Sequence, residues 1–197
     1  MEFVICIIFI CIGVFMYYKN KCENRVYNIV QKFAPHAKKI LDLGCGQCCT
    51  TQTLIQQGKD VTSLDIIDKG ECEKPVLFNG IDIPFDDKEF DLGICSFVLH
   101  HTETQIELLK ELKRTCRQII ILENTPENEN EWKYVEKHAE SEWGKCMKCF
   151  KTAEEWNDVF ISLDLNIENI ENMSKWYCPF SDKPFFYPVT CTCFLLS

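Results

Sequence analysis

The sequence predicts an α/β protein built on a doubly wound, mostly parallel sheet. Three observations predict it. Short apolar strands alternate with helical stretches along most of the chain. Strand candidates such as "IIIL" at 119–122 are apolar throughout, as burial on both faces requires. Polar residues recur just after the strands, where doubly wound sheets hold their ligands. The 197 residues suit one such domain preceded by a leader of different character.

The leader is "FVICIIFICIGVFMYY", Phe3 to Tyr18, an uncharged apolar run near the lower length limit for a bilayer-spanning helix. Glu2 replaces the basic start of a signal peptide, and no small-residue cleavage site follows Tyr18. Lys19, Lys21 and Arg25 lie on its C-terminal side. The positive-inside bias then makes residues 1–20 a membrane-anchor helix and leaves residues 21–197 as a cytosolic domain. A buried core helix or an uncleaved signal sequence is the alternative reading.

The elements follow in order. Val26, Ile29, Val30 and Phe33 have helical spacing, and Pro35 ends that helix. "KKILDLG" is a buried strand, and "TTQTLIQQG" a helix capped near Gly58. "DVTSLDI", "KPVLFNG" and "EFDLGICSFVL" read as the next three strands. "TETQIELLKELKRTC" is an amphipathic helix with Ile106, Leu109 and Leu112 on one face. "RQIIILE" is a fifth strand, "ENEWKYVEKHAESEW" and "TAEEWNDVFISL" are helices, and "LNIENIE" and "YPVTCTCFLL" are the last strands.

Composition narrows the function. Apolar content of 46% and charged content of 26% are those of a folded protein. A net charge of −9 lacks the electrostatic footprint of nucleic-acid binding. Lys110, Lys113, Arg114 and Arg117 read as the solvated face and last turn of a helix, where cations suit the dipole. The fourteen cysteines sit in apolar or helical stretches and are expected to be mostly free, buried thiols in a reducing compartment.

The stretch "KKILDLGCGQCC" carries the chemistry. A dinucleotide loop wants G-x-G-x-x-G, but Cys49 stands at the third glycine position. Asp42, two residues before Gly44, would also repel phosphate. An acid there suits a cationic ligand, and Gly44 and Gly46 let the backbone approach it. S-adenosylmethionine (SAM) carries a sulfonium and an ammonium and no phosphate.

Here the residues resemble a known family. "LDLGCGQC" is similar to the first motif of class I SAM-dependent methyltransferases, of the small-molecule, type 11-like branch. "FNGIDIPFDDKEFDLGICSFVLHHTE" and "ELLKELKRTCRQIIILENT" resemble the motifs that follow, in order at normal spacing. The resemblance implies a Rossmann-like seven-strand sheet with an antiparallel last strand. It implies SAM as cofactor, held by Asp42, Leu43, Gly44, Cys45, Gly46, Asp65, Ile66, Asn79, Gly80, Asp82 and Ser96. Asp65 matches the acid that grips the ribose hydroxyls, and Ile66 is the best apolar wall for adenine. Asn79 and Asp82 compete for one adenine contact. Between Asp65 and Pro75 the family's usual helix is nearly absent.

His100 and His101 follow the fourth strand near the place of a methyl acceptor, and either is a candidate base. The plainer reading has one packing the next helix and the other facing solvent. Pro84, Phe85, Phe90 and Asp91 read as structural, and Cys45 and Cys48 as small fillers. Cys146 and Cys149 have C-x-x-C spacing, with His138, Cys178 or the Cys191/Cys193 pair as conceivable further ligands. No second C-x-x-C exists, so no metal is expected. Trp132, Trp143, Trp156 and Trp176 could line an acceptor pocket but are core residues by default.

The expected function is a membrane-anchored, cytosol-facing methyltransferase acting on a small or lipid acceptor, with nucleic acid disfavoured as a partner. The alternative is a non-catalytic scaffold or regulator that keeps the SAM-binding fold. A nicotinamide oxidoreductase is disfavoured by Asp42 and the missing third glycine.

Overall fold

Lys39–Leu43 opens the sheet as β1, and its last four residues are buried. A computed structural model of the chain describes residues 25–69, 74–142, 149–173, 176–178, 185–187 and 189–197. The apolar leader Phe3–Tyr18, Trp143 and Cys146 lie outside these residues. Among the described residues no helix is long and apolar enough to cross a membrane.

Helix α1, residues 25–33, precedes β1. Then come α2 (Cys49–Gln56), β2 (Asp60–Asp65), β3 (Val76–Leu77) and β4 (Phe90–Ser96). A 3-10 turn at Leu99–His101 leads into α3 (Gln105–Thr115) and β5 (Cys116–Asn124). Helices α4 (Glu129–Glu142) and α5 (Ala153–Ser162) follow, then β6 (Ile167–Met173), β7 (Trp176–Cys178), β8 (Phe185–Tyr187) and β9 (Cys191–Leu196).

The main sheet has seven strands in the order β3-β2-β1-β4-β5-β9-β6. Six run parallel, and β9 runs against both β5 and β6. Strand order reverses between β1 and β4, which makes their carboxyl ends the ligand crevice of a doubly wound sheet.

Alternation along the strands builds two cores. Leu41, Leu43, Ile119, Ile121 and Phe194 meet α3 and α5 through Leu109, Leu112, Trp156 and Phe160. On the other face Ile40, Leu92, Ile94, Ile120 and Leu122 meet Val26, Ile29 and Val30 of α1 and Leu54 of α2. Each such large side chain contributes about 1.5–3 kcal/mol on full burial.

The amino ends of the strands are tied by polar contacts. Asp91 Oδ2 accepts the backbone N–H groups of Lys38 and Lys39, both at 3.0 Å, so it is the structural residue expected. Arg114, in the last turn of α3, donates to Ile83 O, Phe85 O, Glu111 and Asp87. Lys88 and Lys113 donate to carbonyls at the ends of α3 and α5. Gly58, at φ +79°, closes α2: its N–H reaches Ile55 O and that of Lys59 reaches Leu54 O.

Three expectations are revised. The third strand is two residues long, Val76–Leu77, because the chain turns away at Phe78 and no helix in the described residues covers this edge. Ile66 and Leu77 are accordingly 58% and 56% exposed. The final strand starts at Cys191; Tyr187 belongs instead to the β7–β8 hairpin. Cys48 and Cys149 are disulfide-bonded, whereas Cys45, Cys49, Cys95, Cys116, Cys191 and Cys193 are thiols.

Candidate active site

A cleft of about 380 Å³ opens at the carboxyl ends of β1, β2 and β4. Leu43, Gly44 and Gly46 form one wall, Phe97 and Val98 the facing one, and Asp65, Ile66 and Ile67 one end. Phe78, Gly80, Thr102, His101, Leu108 and Lys69 complete it. The two walls touch at Gly44. A Cβ there would lie 2.3 Å from Val98 Cγ2, and φ of +71° already disfavours a side chain. Phe97 holds φ +58°, an unusual conformation for a bulky residue and one that aims the backbone after β4 across the crevice.

The glycine loop is pinned to the next strand. Gly44 N–H donates to Leu64 O at 2.7 Å, and Gly46 N–H to Asp65 Oδ2 at 2.8 Å. Asp65 Oδ1 accepts from Ile66 N–H at 2.7 Å and Ile67 N–H at 3.3 Å. The carboxylate is therefore fixed in direction while remaining on the cleft wall.

Asp42 sits one layer below. It is 2% exposed and accepts a 2.6 Å hydrogen bond from Thr51 Oγ1. Burial pushes its carboxyl up to about 6 against that bond, and the charge of Asp65 adds to the rise. The Cys45 thiol is pushed up to about 12, first by burial and then by the charges of Asp42 and Asp65, so it is an inert filler.

In the turn after β3, Asn79 Oδ1 accepts from Ile81 N–H and Asp82 N–H, and its Nδ2 donates to Asp82 Oδ2. This Asx turn consumes the Asn79 amide and presents Gly80 to the cleft. The structure thus brings Leu43, Gly44, Gly46, Asp65, Ile66, Gly80 and His101 to the cleft lining. Asp42, Cys45, Asn79, Asp82, Ser96 and His100 are not among the lining residues.

The histidines part company in the 3-10 turn. His101 is exposed on the cleft, whereas His100 is 5% exposed behind it. His100 Nδ1 lies 2.5 Å from Glu123 Oε2, and Glu123 is fully buried at the end of β5. Glu123 Oε1 accepts Leu99 N–H at 2.7 Å. The His100 ring stacks on Phe150 at 4.6 Å and tilts against His101 at 4.1 Å between centroids.

Comparison with known proteins matches residues 41–119 to the family described as "Methyltransferase domain". That match spans the strands and loops that build the cleft, from β1 into β5. No curated protein sequence matches it. Among solved structures it resembles a SAM-dependent methyltransferase from Archaeoglobus fulgidus, at 15% identity and a TM-score of 0.70, over 91% of this chain and 94% of that one. One from Methanosarcina mazei matches at 15% identity and a TM-score of 0.65, over 85% and 95% of the two chains. Geranyl diphosphate C-methyltransferase from Streptomyces coelicolor, bound to Mg2+, geranyl diphosphate and S-adenosyl-L-homocysteine, matches at 11% identity and a TM-score of 0.69, over 90% and 81%. At these identities the likeness is one of fold.

The cleft fits SAM on three counts. Gly44 and Val98 leave space only for backbone, Asp65 offers a fixed acceptor at one end, and Ile66 and Phe78 supply apolar walls. SAM supplies an activated methyl group on a sulfonium. Sequence reasoning missed Thr51, Phe78, Phe97 and Glu123. Thr51 and Glu123 meet their partners only through the fold. Among the described residues no group of His, Cys, Asp and Glu is arranged to hold a metal ion.

Proposed function

We propose that this methyltransferase acts on a small, lipophilic acceptor at the cytosolic face of a membrane. The carrying observation is the cleft between the ends of β1 and β4, apolar on its walls and acidic at the Asp65 end. Asp65 takes the ribose hydroxyls, Ile66 and Phe78 flank the base, and the Gly44–Gly46 backbone meets the methionine part. Asp42 acts through Thr51 and the loop, from beneath.

His101 is the residue placed to accept the acceptor's proton, since it stands on the cleft wall. His100 and Glu123 position it from behind. An acceptor that ionises by itself would need only orientation there.

The direction of α1 supports the membrane part of the reading. Arg25, its first described residue, is close enough to act electrostatically on Cys191, which pairs with Asn124 at the carboxyl end of β5. Arg25 thus lies toward the end of the sheet where the cleft opens.

Isothermal titration with SAM is expected to show one site on the full chain. Radiolabelled methyl released into the organic phase of a membrane extract is expected to exceed that from the soluble fraction. Absence of SAM binding overturns the cofactor assignment, and label recovered only in water-soluble products overturns the lipophilic acceptor. Resistance of the protein to alkaline extraction of membranes is the expected outcome for the leader.

A further inference from the structure

Large apolar side chains are left in solvent mainly at one edge of the sheet. Among the described residues eight are exposed, and five of these fall between residues 66 and 81: Ile66, Ile67, Val76, Leu77 and Ile81, each between 36% and 58% exposed. Single exposed apolar residues need no explanation, whereas a contiguous group marks a contact surface. These five are contiguous. Leu77 pairs in register with Asp65, the neighbour of Ile66. A Cβ at Gly80, the neighbour of Ile81, would lie 3.4 Å from Ile66 Cγ2. Ile66 and Ile67 also line the cleft, so the patch runs into its mouth.

The start of α1 points to the same rim. The helix packs on the sheet through Val26, Ile29 and Val30, and the chain then enters β1 at the amino ends of the strands, where Asp60 N–H meets Lys38 O. Its first residue, Arg25, is therefore directed toward the carboxyl ends. Residues 19–24 separate Arg25 from the apolar run Phe3–Tyr18, a reach of at most about 20 Å. The helix lies over β1, β4 and β5, so β3 stands two to four strand spacings away, about 10–20 Å. A tether of that length holds the rim at high effective concentration beside whatever the apolar run enters, and a small patch then suffices for contact. Residues 68–74 mix Asp68, Lys69, Glu71, Glu73 and Lys74, so net charge adds no attraction to an anionic surface. The patch offers apolar area alone.

We propose that Ile67, Val76, Leu77 and Ile81 seat in the surface of a lipid bilayer, with Ile66 left to the nucleoside. The inference rests on the reading of Phe3–Tyr18 as a membrane anchor. Its consequence is that the cleft mouth opens at the boundary of headgroups and acyl chains, where a lipophilic acceptor is concentrated.

The test uses the full chain in phosphatidylcholine nanodiscs, one copy per disc. A photoactivatable diazirine on the lipid acyl chain is expected to label the wild-type protein in two places, within the leader and within residues 60–88. Label in the leader alone overturns the proposal. No label at all, with the chain left outside the discs, removes instead the anchor reading on which it rests. Leu77→Trp and Ile81→Trp then locate the contact. The emission each adds over the wild type is expected to be lost in discs of acyl-brominated lipid. Ile161→Trp is the control, on α5 at the opposite end of the sheet, where Lys113 meets Leu163 O and Asp164 O, and is expected to keep its emission. Equal loss at all three positions reports general adsorption and overturns the proposal. Emission at Leu77→Trp and Ile81→Trp that iodide quenches and brominated lipid does not leaves the patch in water and overturns it. Emission that resists both quenchers assigns the patch to the leader, and discs that take up chains only in pairs assign it to a second copy; either overturns it.

Discussion

The two ends of one sheet are built on opposite terms. At the amino ends of the strands, charges are exposed or half-exposed and saturated: Asp91 holds two backbone N–H groups, and Arg114 ties α3 to the loop before β4. At the carboxyl ends, two carboxylates are buried, Phe97 is left-handed, and Gly44 is pressed against Val98. The amino end uses polar groups to close the fold. The carboxyl end carries costly polar groups beneath and behind a ligand site. Polar chemistry alone therefore does not mark function; polar chemistry that the fold would do better without does.

Four substitutions should separate the ends. The largest effect is expected at Gly44→Ala, whose methyl would sit 2.3 Å from Val98 Cγ2 at φ +71°. SAM affinity should fall more than about 100-fold by titration, since the wall must move several kcal/mol uphill. Retained affinity would break the comparison at its sharpest point.

The next concerns Asp42, buried at the carboxyl end with its carboxyl raised to about 6. The unfolded chain ionises this group near pH 4, so between pH 4 and 6 the native state holds the extra proton. Stability should fall as pH rises through that window, by about 3 kcal/mol at most, and stay level above it. Denaturant melts of the wild type and Asp42→Asn across pH 4–7 should show a slope in the first that is smaller in the second.

At the amino end, Arg114→Ala should cost about 1–2 kcal/mol in urea unfolding, because its side chain is one-third exposed and water replaces part of each lost bond. SAM affinity should not change. The smallest effect is expected at Gly58→Ala. Nothing lies within 4 Å of the added methyl, so only the φ of +79° costs, about 1 kcal/mol, again without loss of SAM binding.

The same contrast explains what the sequence disclosed. Most strand and helix positions and the glycine loop depend on local pattern and period, and "KKILDLG" and "DVTSLDI" became β1 and β2 as read. Asp91 was legible as structural because strand polarity fixes its end. The Asn79–Asp82 turn was legible as a turn, but its inward-directed bonding depends on backbone angles that the letters do not carry. Glu123 was invisible as a site residue: it ends an apolar strand, and its partner lies 23 positions back. Adjacent histidines could not be told apart, because a 3-10 turn sends neighbouring side chains in different directions. The β7–β8 hairpin was missed because its strands, three residues each, are too short for an alternating pattern to register.

The reversed run of β9 has a practical consequence. Leu196 pairs with Ile119 near the start of β5, and Ser197 and Asn166 exchange two backbone hydrogen bonds at the same end. Six residues of strand separate that point from Cys191, about 20 Å. A dye or affinity handle appended after Ser197 would therefore sit remote from the mouth, leaving titrations and surface immobilisation free of interference with whatever enters there.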